Sequence, residues 1–298
     1  MNMNDTILQG LLKNNSIRFA AITGKELVIE ARRIHALSRT ATAALGRELL
    51  MVAMMASQLK NDTDSVSAIL SGGGPGGNLV CVGRKGPFVK GCAGDPGFEL
   101  PPKENGKLDV GGYVGKKGKL TVVRDLSLKE PYVGMCHLVS GEIAEDFAEY
   151  FTASEQQPSL VYLGVRLEPV SGDVLGAGGL LIQPLPDCPA EHVDYVMAKA
   201  NHIPRLTERL SGGENLKDIV LSLFPEGDVS FTDELHPAYR CDCSRERMER
   251  ALLSLGREEL SQIIEEDGQA ELSCHFCNSK YTFTKAELER LLQEGAKA

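Results

Sequence analysis

Two close cysteine pairs near the C-terminus limit the fold of this chain more than any other feature of its 298 residues. One residue separates Cys241 from Cys243, two residues separate Cys274 from Cys277, and 30 residues lie between the pairs. Zinc prefers four soft donors in a tetrahedron, and a closely spaced pair can place both sulfurs on one ion without strain in the backbone. Four thiolates fill the coordination shell and leave no position open for a substrate. The pattern therefore predicts one structural zinc ion per chain.

The residues around the cysteines predict a small separate unit, residues 236–298. Ser244 can cap a helix, and Glu271–Leu272 and Tyr281–Phe283 flank the second cysteine pair as the arms of a hairpin would. A unit of about 60 residues has a marginal hydrophobic core and depends on a metal for its stability. We therefore expect the zinc ion to hold this unit together.

The part of the chain before residue 185 predicts a core of strands and helices. Of the 31 glycines, 15 lie between Gly72 and Gly118, with short β-rich pieces among and just after them. This composition favours a twisted antiparallel sheet with tight turns. Apolar residues that recur with helical spacing and pairs of β-rich segments around turn residues predict further elements. The predicted helices span residues 36–59 and 142–151, and the predicted hairpins span residues 17–32 and 113–121.

A cluster of prolines, Pro184, Pro186 and Pro189, marks the end of this core. Residues 192–223 have a helical pattern, and residues 224–240 are polar and aperiodic, which is typical of a linker. The sequence thus predicts an α+β protein in three regions. They are a core domain of antiparallel sheet and helices at 1–184, a helical linker region at 185–235 and a small zinc-binding domain at 236–298.

No sequence motif indicates an enzyme. Gly72–Gly77 matches the dinucleotide-binding pattern literally, but a strand rather than a helix is predicted after it, so we interpret it as a glycine-rich bend. Phosphate-binding loops, nucleophile elbows and zinc-protease motifs are absent from the sequence. The six histidines are scattered, and none pairs locally with a nucleophile and an acid. We therefore predict that the protein is not an enzyme.

Charge and hydropathy argue against nucleic acid and membranes as partners. The net charge is −9, whereas binding to phosphates or to an anionic membrane surface depends on clustered Lys and Arg. The longest apolar run, near Leu49–Met55, is far shorter than the roughly 18 residues of a membrane span. The first 15 residues lack the pattern of a signal peptide. We expect a cytoplasmic protein, in a compartment where thiols stay reduced.

Four further cysteines lie outside the two pairs, and none of them is spaced as in a metal motif. A free cysteine usually behaves as a small buried apolar residue, and this is the role that we expect for them. They are Cys81, Cys92, Cys136 and Cys188.

The two cysteine pairs resemble those of the 33-kDa redox-regulated heat-shock chaperones. Ser244–Arg247 and Glu266–Gly268 lie nearby, where that family has similar stretches. Other short motifs of the family occur in the expected order over nearly the whole chain. They are His35 with Leu45–Arg47, then Gly77–Asn78, Gly111–Gly112, Ser154–Gln156 and Gln183–Pro186.

The resemblance implies an α+β core domain, a helical linker and a small zinc domain. It also implies an ATP-independent holdase chaperone that is inactive when reduced and zinc-bound. Oxidation in such a protein would form the disulfides Cys241–Cys243 and Cys274–Cys277, release zinc and unfold the linker and the zinc domain. The implied partners are unfolding client proteins and, after oxidation, a second copy of the chain.

Two other functions stay open at this point. A zinc-ribbon module could bind nucleic acid or the ribosome, although residues 241–298 contain 12 acidic and 8 basic residues, whereas such modules are normally basic. A hydrolase or transferase could have its site in the glycine-rich core and use zinc only as a structural clamp. No motif supports this second alternative.

Overall fold

The computed structural model describes residues 5–226 and 228–294. The outermost residues of the predicted core domain and zinc-binding domain therefore lie outside the described residues. Contacts divide the chain into two compact units, Met1–Arg240 and Cys241–Ala298. Within the described ranges, no helix is long and apolar enough to cross a membrane.

The first unit combines strands and helices. Its strands are β1 (Ile7–Leu12), β2 (Ile17–Thr23), β3 (Ser65–Ser71), β4 (Leu79–Arg84), β5 (Phe88–Ala93), β6 (Lys119–Asp125), β7 (Tyr132–His137), β8 (Leu160–Leu167), β9 (Val174–Pro184), β10 (Ser230–Leu235) and β11 (Ala238–Tyr239). Its helices are α1 (Lys25–His35), α2 (Arg39–Ala56), α3 (Val110–Val114), α4 (Ala144–Ala153), α5 (Ala190–Lys199), α6 (Leu206–Ser211) and α7 (Leu216–Leu223), with a 3-10 helix at Ala200–Arg205.

These strands form two sheets. The first sheet has the order β10-β1-β2-β9-β8 and is antiparallel throughout. The second has the order β11-β5-β4-β3-β6-β7 and is antiparallel except for the short parallel pair of β11 with β5. The observed fold confirms the predicted α+β class with antiparallel sheets.

Helix α2 forms the centre of the core. Of its 18 residues, 16 are buried, and it packs against strands of both sheets. Ser38 caps its N-terminus by accepting a hydrogen bond from the Ala41 N–H at 3.1 Å. Gly46 lets α2 approach β8 closely, because a Cβ at this position would lie 2.9 Å from a methyl group of Val165.

Helices α5, α6 and α7 and the 3-10 helix cover one face of the first sheet with a second apolar cluster. The sheet contributes Leu8, Leu12, Ile17, Phe19, Ala21, Leu180 and Ile182 to this cluster. The helices and the residue after them contribute Val196, Ile203, Leu206, Leu216, Ile219, Val220, Leu223 and Phe224. The predicted linker region is therefore packed against the core by apolar contacts.

The second unit is small. It contains α8 (Arg245–Ser254), α9 (Arg257–Glu266), β12 (Gln269–Ser273), β13 (Lys280–Thr284) and α10 (Lys285–Glu294). Strands β12 and β13 pair in an antiparallel hairpin, as the sequence predicts. The buried core consists of six side chains, Leu252, Leu260, Ile264, Phe283, Leu288 and Leu291.

The hairpin predicted at residues 17–32 is wrong in its second half, which is helix α1. Its Ile and Val residues favour a strand, but the Asp5 carboxylate accepts hydrogen bonds from the Leu27 N–H at 2.7 Å and the Glu26 N–H at 3.2 Å. These bonds cap the helix N-terminus. Leu27, Val28 and Ala31 are buried on one side of the helix. Tertiary packing thus overrides the local β propensity.

Two further predictions are wrong. The first arm of the hairpin predicted at residues 113–121 is the end of helix α3, which Asp109 caps by accepting a hydrogen bond from the Gly112 N–H at 3.0 Å. The aperiodic segment 224–240 contains strands β10 and β11. Strand β10 is at the edge of its sheet with mostly exposed side chains, so it has no apolar alternation that a sequence pattern could reveal.

Candidate metal centre

The four paired cysteines lie in two short segments of the second unit. Cys241 and Cys243 precede helix α8, and Ser244 begins this helix by accepting a hydrogen bond from the Arg247 N–H at 3.4 Å. Cys274 and Cys277 lie in the turn between β12 and β13. That turn is closed by bonds from the Asn278 N–H to the Cys274 carbonyl at 2.8 Å and from the Cys274 N–H to the Ser279 carbonyl at 2.9 Å.

The four sulfurs converge. All of them lie within 4.8 Å of one another, and no fifth ligand belongs to the group among the described residues. The Cys241 and Cys274 sulfurs are 3.6 Å apart, and the Cys243 and Cys277 sulfurs are 3.4 Å apart. A tetrahedral zinc site with Zn–S bonds of about 2.3 Å needs S–S separations of about 3.8 Å. The observed spacing fits a four-cysteine site of this kind, and the cluster could hold a metal ion.

The surroundings act differently on the thiols of Cys241, Cys274 and Cys277. Burial raises the pKa of the Cys241 and Cys274 thiols above the ordinary value. Burial acts on Cys277 in the same direction, but hydrogen bonds from the Ser279 hydroxyl and backbone N–H outweigh it and lower the pKa of this thiol to about 7. A dication that replaces the thiol protons would neutralise the crowded charge, which is the usual basis of thiolate metal binding.

Two hydroxyl groups beside the sulfurs were not found from the sequence. The Tyr281 hydroxyl lies 3.1 Å from the Cys243 sulfur, and the Ser279 hydroxyl lies 3.2 Å from the Cys277 sulfur. Ser279 lies two residues after Cys277 and could have been found by its spacing. Tyr281 is 38 residues from Cys243, so only the fold brings it there. His275 is exposed and does not belong to the group of four converging sulfurs.

The other four cysteines lie in the first unit, and two of them, Cys81 and Cys92, are on the paired strands β4 and β5. Cys81 is fully buried and lies beside Glu48, and Cys92, Cys136 and Cys188 are half-buried. Burial raises the pKa of the Cys136 thiol to about 11. In the described part of the chain, no second group of three or more ligand side chains meets the geometry of a metal site.

The remaining sequence features do not assemble a reaction centre. Gly72–Gly77 forms a bend followed by strand β4, as predicted, so no helix N-terminus is presented to a phosphate. His192 does approach a serine, with its Nδ1 2.7 Å from the Ser16 hydroxyl. That hydroxyl donates its proton to the Lys13 carbonyl at 2.8 Å, so the histidine is not placed to activate it as a nucleophile.

Known proteins resemble this chain over almost its whole length. The family model described as Hsp33 protein matches residues 5–284. A 33 kDa chaperonin of Caldanaerobacter subterraneus subsp. tengcongensis is 45% identical over 282 residues, which are 95% of either chain. A 33 kDa chaperonin of Clostridium perfringens strain SM101 is 43% identical over 297 residues, 99% of this chain and 94% of the relative. The crystal structure of the Thermotoga maritima 33 kDa chaperonin superposes with a TM-score of 0.88 at 36% identity, covering 99% of this chain and all of that one.

Proposed function

Because this chain belongs to the Hsp33 family of chaperones, we propose that it is a redox-regulated, ATP-independent holdase of the cytoplasm. In the reduced state it binds one zinc ion through Cys241, Cys243, Cys274 and Cys277 and is inactive. Oxidation of these cysteines releases the zinc and activates the protein, which then binds unfolding clients and prevents their aggregation under oxidative stress and heat. The observation that carries this proposal is the convergence of four sulfurs within 4.8 Å in a small, separate unit.

The energetics of the second unit support a switch based on metal loss. Among the described residues, its core has six buried apolar side chains, which is marginal for independent folding. A structural zinc ion contributes roughly 10–16 kcal/mol to small domains, and a whole domain is usually stable by roughly 5–15 kcal/mol. Removal of the zinc would therefore cost about as much free energy as the unit has available.

The chemistry of the cysteines supplies the trigger. Two equivalents of peroxide convert four thiolates into two disulfides and four hydroxide ions, so the sulfurs lose four electrons and the metal leaves as a dication. A disulfide sulfur carries no negative charge and is a poor zinc ligand. We propose that the disulfides are Cys241–Cys243 and Cys274–Cys277, which is the pairing that the resemblance to the family implies. The four cysteines outside the two pairs have no part in this proposal.

The apolar cluster under the linker helices offers a surface for clients. Helices α5 to α7 bury one face of the first sheet through residues such as Leu206 and Ile219, against Leu12 and Phe19 on the strands. If these helices detach after oxidation, the sheet face and the helix faces both become exposed. Apolar surfaces of this size bind unfolded chains without sequence preference and also bind each other. We propose that this face binds clients and that the oxidised chain forms a homodimer.

Charge makes nucleic acid a poor alternative partner for the second unit. With 12 acidic and 8 basic residues from Cys241 to Ala298, its surface would repel a phosphate backbone. Several of the basic side chains are also engaged within the unit, among them Arg245 with Glu287 at 2.7 Å and Arg247 with Asp242 at 2.9 Å. We therefore propose neither nucleic acid nor a membrane as a partner.

One experiment on a single preparation tests the proposal. Zinc content, thiol content and suppression of client aggregation are measured on the reduced protein, then again after peroxide at mildly elevated temperature. We expect one zinc per reduced chain, its release with the loss of four thiols, and the appearance of holdase activity together. Hydrogen exchange should show lost protection from about residue 190 onward, while α2 stays protected. An oxidised protein that retains its zinc yet suppresses aggregation would contradict the mechanism.

A further inference from the structure

The two sulfurs of the first cysteine pair, Cys241 and Cys243, have different hydrogen-bond partners. The Cys243 sulfur lies 3.1 Å from the phenolic oxygen of Tyr281. The partners of the Cys241 sulfur are the other cysteines and the backbone N–H of Cys243. We propose that Tyr281 is a positioning residue of the redox switch. Its hydroxyl donates a hydrogen bond to the Cys243 sulfur and thereby slows the oxidation of Cys243 relative to Cys241. This inference rests on the proposed function and adds a regulator to the same site.

Strand β13 holds the Tyr281 ring in place. Tyr281 pairs with Leu272 of β12 and packs against the apolar core of the second unit, and the next residue on the same face, Phe283, is fully buried. A tyrosine held by its ring has few other orientations available to its hydroxyl. The bond to Cys243 therefore joins the hairpin to the segment before α8 and depends on the fold of the whole unit.

The hydrogen bond acts on the charged form of the sulfur. A thiolate attacks peroxide to give a sulfenic acid and hydroxide, and the neighbouring thiolate then displaces a second hydroxide to form the disulfide. Both steps use the lone pair of the attacking sulfur, which the Tyr281 hydroxyl occupies in part at Cys243. Cys241 is then the better attacking group of its pair, and Cys243 is the group that resolves the sulfenic acid.

The expected size of the effect follows from general thiol chemistry. A hydrogen bond to a charged group is one of the stronger hydrogen bonds in proteins. About half of the strength of a hydrogen bond to the attacking sulfur appears as a slower attack by the thiolate. Together these values predict that loss of the bond accelerates the oxidation of Cys243 by roughly threefold to tenfold.

The Ser279 hydroxyl is a useful contrast. It lies 3.2 Å from the Cys277 sulfur, but it is only two residues away in the chain and exposed. This hydrogen bond forms within the turn and does not depend on how the hairpin packs against the segment that carries Cys241 and Cys243. Of these two hydroxyl groups, Tyr281 thus makes the tertiary hydrogen bond, which is the more sensitive of the two to loosening of the unit.

The test uses the full, zinc-loaded chain and two variants on the same strand. Tyr281→Phe keeps the ring and removes the hydroxyl, and Thr282→Val removes an exposed hydroxyl from the neighbouring position. After addition of hydrogen peroxide, zinc release is followed with a chromogenic chelator, and sulfenic acids are trapped and quantified for each cysteine by peptide mass spectrometry. Chelator competition before oxidation establishes that all three proteins bind zinc.

We expect the ratio of sulfenic acid at Cys243 to that at Cys241 to rise by about threefold to tenfold in Tyr281→Phe, with faster zinc release. Thr282→Val should match the unsubstituted protein. An unchanged ratio in Tyr281→Phe would overturn the inference. If Tyr281→Phe binds zinc poorly, the comparison of the two cysteines within the unsubstituted protein decides instead. The inference requires less trapped sulfenic acid at Cys243 than at Cys241, and equal or larger amounts at Cys243 would overturn it. Failure of peroxide to release any zinc from the unsubstituted protein would count against the proposed function itself.

Discussion

Replacement of Ile219 by alanine should activate the chaperone without oxidation. Ile219 lies on helix α7, is 0% exposed and belongs to the apolar cluster between the linker helices and the first sheet. Truncation of a buried isoleucine to alanine costs roughly 2–5 kcal/mol. Because Ile219 belongs to the first compact unit and the four paired cysteines to the second, we expect this cost to appear in the opening of the linker rather than in the proposed metal binding.

The change in population follows from this cost. Each 1.4 kcal/mol is about a factor of ten in an equilibrium constant, so the ratio of open to closed linker should rise by about 30-fold to several thousand-fold. Leu221→Ala is a matched control, since it makes the same kind of truncation on the same helix at a side chain that is 41% exposed. Its effect should be within about 0.5 kcal/mol.

The assay compares both variants with the unsubstituted protein under reducing conditions with zinc bound. Light scattering of a thermally unfolding client measures holdase activity, and hydrogen exchange over residues 190–223 measures linker opening. We expect reduced Ile219→Ala, and not Leu221→Ala, to suppress aggregation while its zinc content stays at one per chain. If Ile219→Ala exposes the linker but leaves aggregation unchanged, the client surface is not under these helices.

Three further perturbations test other parts of the structure. Asp146 is fully buried and accepts hydrogen bonds from four backbone N–H groups. Asp146→Ala should therefore lower the free energy of unfolding, measured with denaturant, by about 3–5 kcal/mol. The control Glu145→Ala, at an exposed neighbouring position, should leave it nearly unchanged. Burial raises the pKa of Glu48 well above its usual value, so folding takes up a proton at a pH above the ordinary carboxyl pKa. The free energy of unfolding therefore falls as the pH rises from the ordinary carboxyl pKa toward the pKa in the folded protein. Urea midpoints measured between pH 5 and 8 should fall less steeply with rising pH in Glu48→Gln than in the unsubstituted protein. Joint replacement of the four cysteines outside the two pairs by serine or alanine should leave the peroxide response intact, as measured by zinc release. Loss of that response in a folded variant would show that they belong to the switch. The cysteines replaced are Cys81, Cys92, Cys136 and Cys188.

The convergence of the four paired cysteines could be predicted from sequence because much of it is local. Close spacing keeps the two cysteines of each pair in one short segment, and the hairpin that carries Cys274 and Cys277 has its own strand and turn signals. The same holds for α2, which lies within the helix predicted at residues 36–59. In these elements local preference and final packing agree.

The errors occur where distant residues decide the outcome. Helix α1 depends on the carboxylate of Asp5, which lies about twenty residues before the N–H groups that it caps. Strand β10 is formed by backbone hydrogen bonds to β1, a strand more than 200 residues earlier in the chain. The Tyr281 hydroxyl meets Cys243 only after the second unit has folded. No periodicity in the sequence encodes such partners, so each had to come from the structure.

The segment just before Cys241 gives a physical reason why activation would need heat as well as oxidation. Cys241 directly follows the residues that tie the chain to the second sheet. Tyr239 donates a hydrogen bond from its hydroxyl to the Gly91 carbonyl at 2.8 Å, and the Arg240 N–H donates to the Val89 carbonyl at 2.8 Å. These bonds and the pairing of β10 with β1 do not involve the cysteines, so we expect them to persist when the four cysteines are oxidised. Release of the linker then needs thermal opening of an edge strand and a two-residue strand, which are elements of low local stability. Oxidation without heat should therefore melt the second unit first and leave the apolar face of the first sheet covered.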